Sequence, residues 1–438
     1  MVLTTEQQKA IDILMEGHNV FLTGEAGTGK STIINEFVGR VKNKNILTFA
    51  PTGIAAIRIG GVTIHRGFKI DRGVVSPEQS FFVPEEIETA DIIIIDEISM
   101  CRIDMFERVV KIITKANVLR KRYNQNPIQV VLVGDFYQLP PVTVESEKVA
   151  MRHFYHDSIN FFAFESEFWK KLNLVNIVLH DIMRQSDDGF IQALNQIREG
   201  NTKAVEFLNK KSNPNKINDA VILTGINKKA AEINQEKLQE LKTKPHLFPT
   251  KKYGNVKDSD LCVEEVLILK EGARVMTIVN GQGYQNGSMG WVQKIDTKNQ
   301  SITVLLDSGY PIKLKRNKWE VYNYKTIEED VYELIEDTNG NMLKKKIDTK
   351  KKVVKETVGF YEQFPVKLSY AITIHKSQGQ TFENMNLMPY SWDYGQLYVA
   401  LSRASSLKGL HLMEEIKPYF LKTSRDVKEF YQKLEKGQ

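Results

Sequence analysis

Residues 19–31 read NVFLTGEAGTGKS. NVFLT is a short apolar run of strand type, and Gly24-x-x-x-x-Gly29-Lys30-Ser31 follows it directly. Only glycines let a backbone wrap closely enough for its N–H groups to face phosphate oxygens at the start of a helix. The pattern therefore predicts a P-loop over Gly24, Glu25, Ala26, Gly27, Thr28, Gly29, Lys30, Ser31 and Thr32. Lys30 is placed to neutralise the β- and γ-phosphates of ATP, and the Ser31 hydroxyl to bind Mg²⁺. The competing reading, a flexible turn before a helix, leaves the flanking strand and helix unexplained.

Outward from this stretch the same texture continues. Residues 6–16 have helical spacing and end at Gly17; a helix is predicted after the loop to about Val41, a strand over ILTFA (46–50), and a short helix between Pro51 and Gly60. IIIID (92–96) and QVVLVGD (129–135) are apolar runs of the kind found in the interior of parallel sheets. Strands alternating with helices predict an open α/β sheet with ligands at the carboxyl ends of its strands.

A second series opens near residue 172, with strands over 172–179 and 220–224 and helices over 188–200 and 228–241. From about 262 to 358, short apolar segments separated by Gly, Asn and Asp suggest a small β-barrel, and α/β texture returns after Phe364. The expected division is a first α/β domain over 1–171 with a small lobe near 66–88. A second α/β domain follows over 172–261 and 361–438, ending in a C-terminal helix and interrupted by a β insertion over 262–360.

The 438 residues suit roughly two to four domains. With 42% hydrophobic and 26% charged residues the chain can build cores, which excludes disorder throughout. A net charge of +6 permits an anionic partner without requiring one. Two cysteines, Cys101 and Cys262, cannot form a disulfide framework or a four-ligand zinc site alone. The polar N-terminus lacks a secretory signal, and the longest aliphatic run, Ile92–Ile95, is far below the ~20 residues of a membrane helix. A cytoplasmic location is expected.

Two further elements fit a nucleotide engine. Asp96, at the end of IIIID, is placed to hold Mg²⁺ and adjacent Glu97 to orient the attacking water. Gln138, in GDFYQLPPV (134–142), is placed to contact a γ-phosphate from a loop stiffened by Pro140 and Pro141. Arg184 and Arg403 are candidates for γ-phosphate fingers, although a lone arginine is more often a surface residue. Asp135 takes no role in this reading.

At this point the motifs coincide with those of a known family. LTTEQ (3–7), GEAGTGKS, APTGIAAIRIGGVTIH (50–65), IIIIDEISM (92–100), LVGDFYQLPPV (132–142), MRQ (183–185), NGSMGWV (286–292), YAITIHKSQGQTF (370–382) and YVALSRA (398–404) occur in order. Together they resemble the motif set of the PIF-one family of superfamily-one DNA helicases, from Leu3 to about Leu412. The resemblance implies two RecA-like domains sandwiching ATP, with an SH3-like insertion. It implies that Gln7 reads the adenine edge, that Arg184 and Arg403 are the γ-phosphate arginines, and that Gln378 and Gly379 contact nucleotide or couple it to DNA. Thr52, Gly53, His65, His375, Lys376 and Ser377 then line the single strand. It further implies 5′-to-3′ movement on single-stranded DNA, action at single-strand/duplex junctions and, as for many members, on G-quadruplexes, by a protein monomeric in solution. Cys101 and Arg102 depart from the family's pattern before the helix over 104–122. The first motif lies three residues from the N-terminus, which suggests a compact bacterial or phage-like core.

A translocase needs a groove that grips backbone and stacks bases without reading sequence. VTIHRGFKIDRG (62–73) supplies His65, Arg66, Phe68, Lys69 and Arg72 for such a groove, with packing as the alternative for Phe68. MLKKKIDTKKKVVK (342–355) carries seven lysines, which suit either a solvated, aggregation-resistant hairpin or a DNA contact. Rival readings are an ATP-switched clamp that does not travel and the motor subunit of a nuclease complex.

Overall fold

The computed structural model describes residues 3–436 except 72, 144, 157, 159, 184, 186, 285 and 337–341. The chain opens with α1 (Thr5–Met15), whose first turn is closed by a reciprocal pair: the Thr4 hydroxyl accepts from the Gln7 N–H and the Gln7 side chain accepts from the Thr4 N–H. β1 (Val20–Gly24) leads through the glycine loop into α2 (Lys30–Arg40), followed by β2 (Ile46–Ala50), α3 (Gly53–Arg58), β3 (Val62–Thr63), α4 (Ile64–Gly67) and α5 (Glu85–Glu88). β4 (Ile92–Ile95), α6 (Ile103–Arg122), β5 (Gln129–Val133), α7 (Glu145–Phe154), α8 (Glu167–Lys171) and β6 (Val175–Leu179) complete this part.

The strands form one six-stranded sheet in the order β3-β2-β4-β5-β1-β6, parallel throughout. β1, β4 and β5 are buried along their whole length, as expected of sheet strands covered by helices on both faces. The P-loop leaves β1 between β5 and β6, and the acidic pair leaves β4 two strands away, so both reach the same sheet edge. β6 corrects the expected boundary at 172: rather than opening the second domain, it pairs with β1 in the first sheet, Val20 opposite Val175 through Gly24 opposite Leu179.

The lobe after α4 is fastened to α6. Arg102 pairs with Asp104 and donates to the Gly73 carbonyl, Asp104 accepts from the Val75 N–H, and Arg108 donates to the carbonyls of Ser76 and Gln79. Arg102 thus holds this lobe to the start of α6.

The second α/β part has α9 (Asp188–Arg198), α10 (Lys203–Lys211), β7 (Val221–Thr224) and α11 (Asn227–Glu240). The β insertion begins earlier than 262, with β8 (His246–Pro249) and β9 (Lys251–Gly254), because these pair with later strands. It continues through β10 (Val266–Leu269), β11 (Arg274–Thr277), β12 (Met289–Asp296), β13 (Ser301–Leu306), β14 (Pro311–Lys315), β15 (Asn317–Glu336), β16 (Met342–Gln363) and β17 (Val366–Leu368). β14-β13-β12-β11-β17 form an antiparallel sheet around a core that includes Val275, Ile302, Val304 and Phe364. β15 and β16 form a long antiparallel ribbon flanked at its base by β9. β18 (Ala371–Thr373), β19 (Met385–Leu387), α12 (Gln396–Leu401) and β20 (Leu410–Leu412) then close a parallel four-stranded sheet, β18-β7-β19-β20.

The last helix, α13 (Arg425–Glu435), returns to the first domain. Val427 and Tyr431 join that domain's core, and the Phe430 ring stacks on Phe164 at 4.3 Å. Among the described residues no helix is long and apolar enough to cross a membrane.

Candidate nucleotide and nucleic-acid site

A cleft of about 510 Å³ lies at the carboxyl edge of the first sheet. From the first domain it is lined by P-loop residues including Lys30, Ser31 and Thr32, and by Arg58, Asp96, Glu97 and Gln138. From the second part of the chain Met183, Gly379 and Arg403 close it.

The loop is shaped by its glycines. Gly27 and Gly29 have φ of 91° and 83°, in the left-handed region. The Lys30 ammonium donates to the carbonyls of Gly24 (2.8 Å) and Glu25 (2.9 Å), and burial lowers its pKa against the opposing pull of the Asp135 and Glu97 charges. Thr28 accepts from the Gln7 amide at 3.2 Å, while the other end of that amide caps α1, so Gln7 braces the loop from behind. The Ala26 N–H donates to the Tyr398 hydroxyl at 2.9 Å, and the Gly27 carbonyl accepts from the Met183 N–H at 3.0 Å. Both partners come from beyond the first sheet. Glu25 is half-buried and its pKa is raised, chiefly by burial.

Asp96 and Glu97 sit where β4 ends. Glu97 has φ of 52°, an uncommon conformation for a residue with a side chain, and its N–H donates to Asp96 Oδ1 at 2.9 Å. Burial raises the Asp96 pKa, the Glu97 carboxylate beside it adds to the rise, and Arg58 opposes it. Arg58 Nη2 lies 3.2 Å from Asp96 Oδ2 and 2.9 Å from Glu97 Oε1. Nothing in APTGIAAIRIGG signals that the Arg58 side chain reaches two acids 38 and 39 residues further on.

Arg403 is 2% exposed. Its guanidinium donates to the carbonyls of Val399 (2.9 Å) and Gln380 (3.3 Å) and to the Ser402 hydroxyl (2.8 Å). Gln378 has a buried Nε2 without a hydrogen-bond partner in the structure. Arg184 lies outside the described residues.

The residues expected to meet DNA separate into two groups. Gly53 and Arg66 line a second cleft, about 300 Å³, whose opposite wall is the β insertion: Asp260, Lys318, Trp319, Tyr322 and Tyr361. Arg66 Nη1 lies 3.1 Å from Asp260 Oδ1. The Thr52 hydroxyl accepts from the Ala55 N–H at the start of α3, and His65 sits on α4. Lys376 is exposed, and the half-buried His375 ring lies 6.4 Å from Trp392, its pKa lowered by burial against the pull of Asp393. Phe68 and Ser377 belong to the other group. The Phe68 ring is 1% exposed and packs on Phe49 at 4.8 Å, because α4 turns it under the sheet; it offers no face to a base. Ser377 is fully buried and its hydroxyl donates to the Ile374 carbonyl.

Asp135 anchors a buried network. It is paired with Arg198 at 3.1 Å, accepts from the Tyr137 N–H at 3.1 Å and from the Tyr431 hydroxyl at 3.3 Å. Arg198 lies over the Tyr137 ring at 4.1 Å. The network joins β5's exit loop, α9 and α13, and no local pattern connects residues so far apart in the chain.

Two parallel sheets, a P-loop and a cleft closed by residues from the second of them define a two-domain P-loop nucleotidase. Residues 2–207 match the family model described as PIF1-like helicase. The chain is 32% identical over 458 residues to the ATP-dependent DNA helicase Pif1 of Campylobacter jejuni, covering 95% of this chain and 94% of that protein. It belongs to the PIF1-like helicase family. Among solved structures, Bacteroides sp. Pif1 in complex with ADP-AlF4 matches at a TM-score of 0.82 with 32% identity, covering 100% of this chain and 98% of that one. Bacteroides Pif1 bound to single-stranded DNA matches at 0.67 with 32% identity over the same shares.

Proposed function

We propose that this chain is an ATP-driven DNA helicase that moves 5′ to 3′ on single-stranded DNA. The observation that carries the reading is the composition of the 510 Å³ cleft: P-loop, acidic pair and Gln138 come from one domain, Gly379 and Arg403 from the other. A nucleotide held there touches both domains, so losing its γ-phosphate changes how they are held together. The names borne by relatives, ATP-dependent DNA helicase, and the neighbour bound to single-stranded DNA support the same reading.

In this mechanism P-loop N–H groups and Lys30 hold the phosphates, and Glu97 orients water for in-line attack. Arg403, with Arg184, stabilises charge on the γ-phosphate, and Gln138 reports its presence to the loop it stands on. Among the described residues no group of three or more His, Cys, Asp and Glu side chains has metal-site spacing. The oxygen donors Ser31 and Asp96 on one cleft wall nonetheless suit Mg²⁺, which takes few protein ligands and completes its shell with phosphate and water. When bound, the ion would supply positive charge to offset that of the phosphates. Alternating grip on the strand, through Gly53, Arg66 and the aromatic wall of the insertion, converts closure into movement. The finer assignments, a monomer acting at single-strand/duplex junctions and on G-quadruplexes, belong to the same proposal. So do the division into two RecA-like domains and the SH3-like character of the insertion.

The test is strand separation on matched duplexes carrying a 5′ or a 3′ single-stranded tail, with ATP and a Lys30→Ala control. Unwinding from the 5′ tail alone is expected, with none by the control. Unwinding from the 3′ tail alone would overturn the direction. DNA-stimulated ATP turnover without unwinding would replace the helicase by a translocating clamp.

A further inference from the structure

Arg58 stands at the junction of the two clefts. It is the last residue of α3, a helix of six residues spanning about 9 Å. From that helix, Gly53 in the first turn and Ala56 in the second line the 300 Å³ cleft facing the insertion, and Arg58 at its end lines the nucleotide cleft. Ala55 and Ala56 are buried in one cluster with Ala50 at the end of β2, so the helix is seated on the sheet. Its guanidinium bridges both carboxylates, at 3.2 Å to Asp96 and 2.9 Å to Glu97. Lys30 donates instead to the P-loop's own carbonyls, and Arg403 to carbonyls of its own domain. From the second domain Gly379 approaches so closely that a Cβ there would overlap the Arg58 guanidinium.

We infer that Arg58 is a positioning residue that couples occupancy of the nucleic-acid cleft to the catalytic acids. While it bridges Asp96 and Glu97, it competes with a divalent cation for Asp96 and holds the Glu97 carboxylate away from a water. A strand seated on the α3 side of the second cleft shifts the helix, withdraws the guanidinium, and frees both acids. The close packing of Gly379 makes the release sensitive to the position of the second domain as well. This inference rests on the helicase reading, since it takes the second cleft as the site of the strand.

The experiment uses the full chain as wild type, Arg58→Ala and Arg58→Lys. ATP turnover is measured with and without oligo(dT), and Mn²⁺ affinity is measured by electron paramagnetic resonance in the presence of ADP and absence of DNA. Removing the bridge is expected to raise DNA-free turnover at least about fivefold, at the lower end of coupling between sites, and to cut the stimulation ratio correspondingly. Mn²⁺ should bind more tightly by a similar factor, and Arg58→Lys, which keeps the charge but not the fork, should fall between the two. An unchanged Mn²⁺ affinity with an unchanged stimulation ratio would overturn the inference, as would a proportional fall in both rates. A wild type whose turnover is indifferent to DNA would overturn the helicase reading itself, and is distinguishable because it needs no variant.

Discussion

A single side chain can be placed by its chemistry or by its packing, and Phe68 shows which decides here. The loop VTIHRGFKIDRG interleaves bases and aromatics, which is the composition of a strand-binding groove. In the structure the Phe68 ring is instead part of the core beneath the first sheet, beside Phe49, Ile64 and Ile87. Phe68→Ala is therefore expected to destabilise the fold by about 3–5 kcal/mol. Affinity of the folded fraction for oligo(dT) should stay within twofold of wild type. Loss of a stacked base would cost ~1–3 kcal/mol, so a tenfold loss of affinity at unchanged stability would put the ring in the groove. Residues whose chemistry is tied to a rigid local spacing, such as Lys30 and Ser31, were legible because the loop itself dictates where they point. Arg58 was not, since its role arises only where α3 crosses the end of β4.

The element least resolved by its composition is the lysine-rich segment, and its register bears directly on the choice. It forms β16, paired antiparallel with β15, from Asn317 opposite Gln363 to Glu336 opposite Met342. Lys346 Nζ lies 2.5 Å from Asp330. Cross-strand ion pairs such as Lys346–Asp330 and Lys325–Glu356 support each other and offset part of the ribbon's positive charge. Neutralising Lys344, Lys345 and Lys346 together should leave the salt dependence of single-strand binding unchanged. A log–log slope shallower by about 0.7 or more would mean that at least one lysine releases a counterion on binding and would restore the DNA contact. The strands themselves were visible as alternating apolar and polar residues between turn signals. The pairing is not, because a strand's own residues carry no mark of the partner they will face. β6 failed for a related reason: an apolar strand carries no mark of which of two parallel sheets it will join.

At the scale of the whole molecule, the α13 helix ties the end of the second domain back onto the first. The chain leaves the first sheet after β6, builds the second domain and its insertion, and then returns α13 to the first domain's core. Where the three meet lies the Asp135–Arg198 pair, with Asp135 fully buried and the Arg198 side chain 12% exposed. Tyr431 donates to Asp135 from α13, and Tyr398 reaches from α12 to the Ala26 N–H of the P-loop. Order along the chain made the two α/β units visible in advance, but this seam joins positions 63 and 296 residues apart. Breaking a buried ion pair by removing one partner leaves an uncompensated charge, which costs about 3–5 kcal/mol. Arg198→Ala should therefore lower unfolding stability by about that amount, and Asp135→Asn should be costly too. If the pair acts as a unit, Arg198→Ala combined with Asp135→Asn will be less destabilised than the sum of the two by ~1–3 kcal/mol. Strict additivity in denaturant unfolding would show that the two residues stabilise their own domains separately, and that the seam between domains is held by α13's aromatic packing alone.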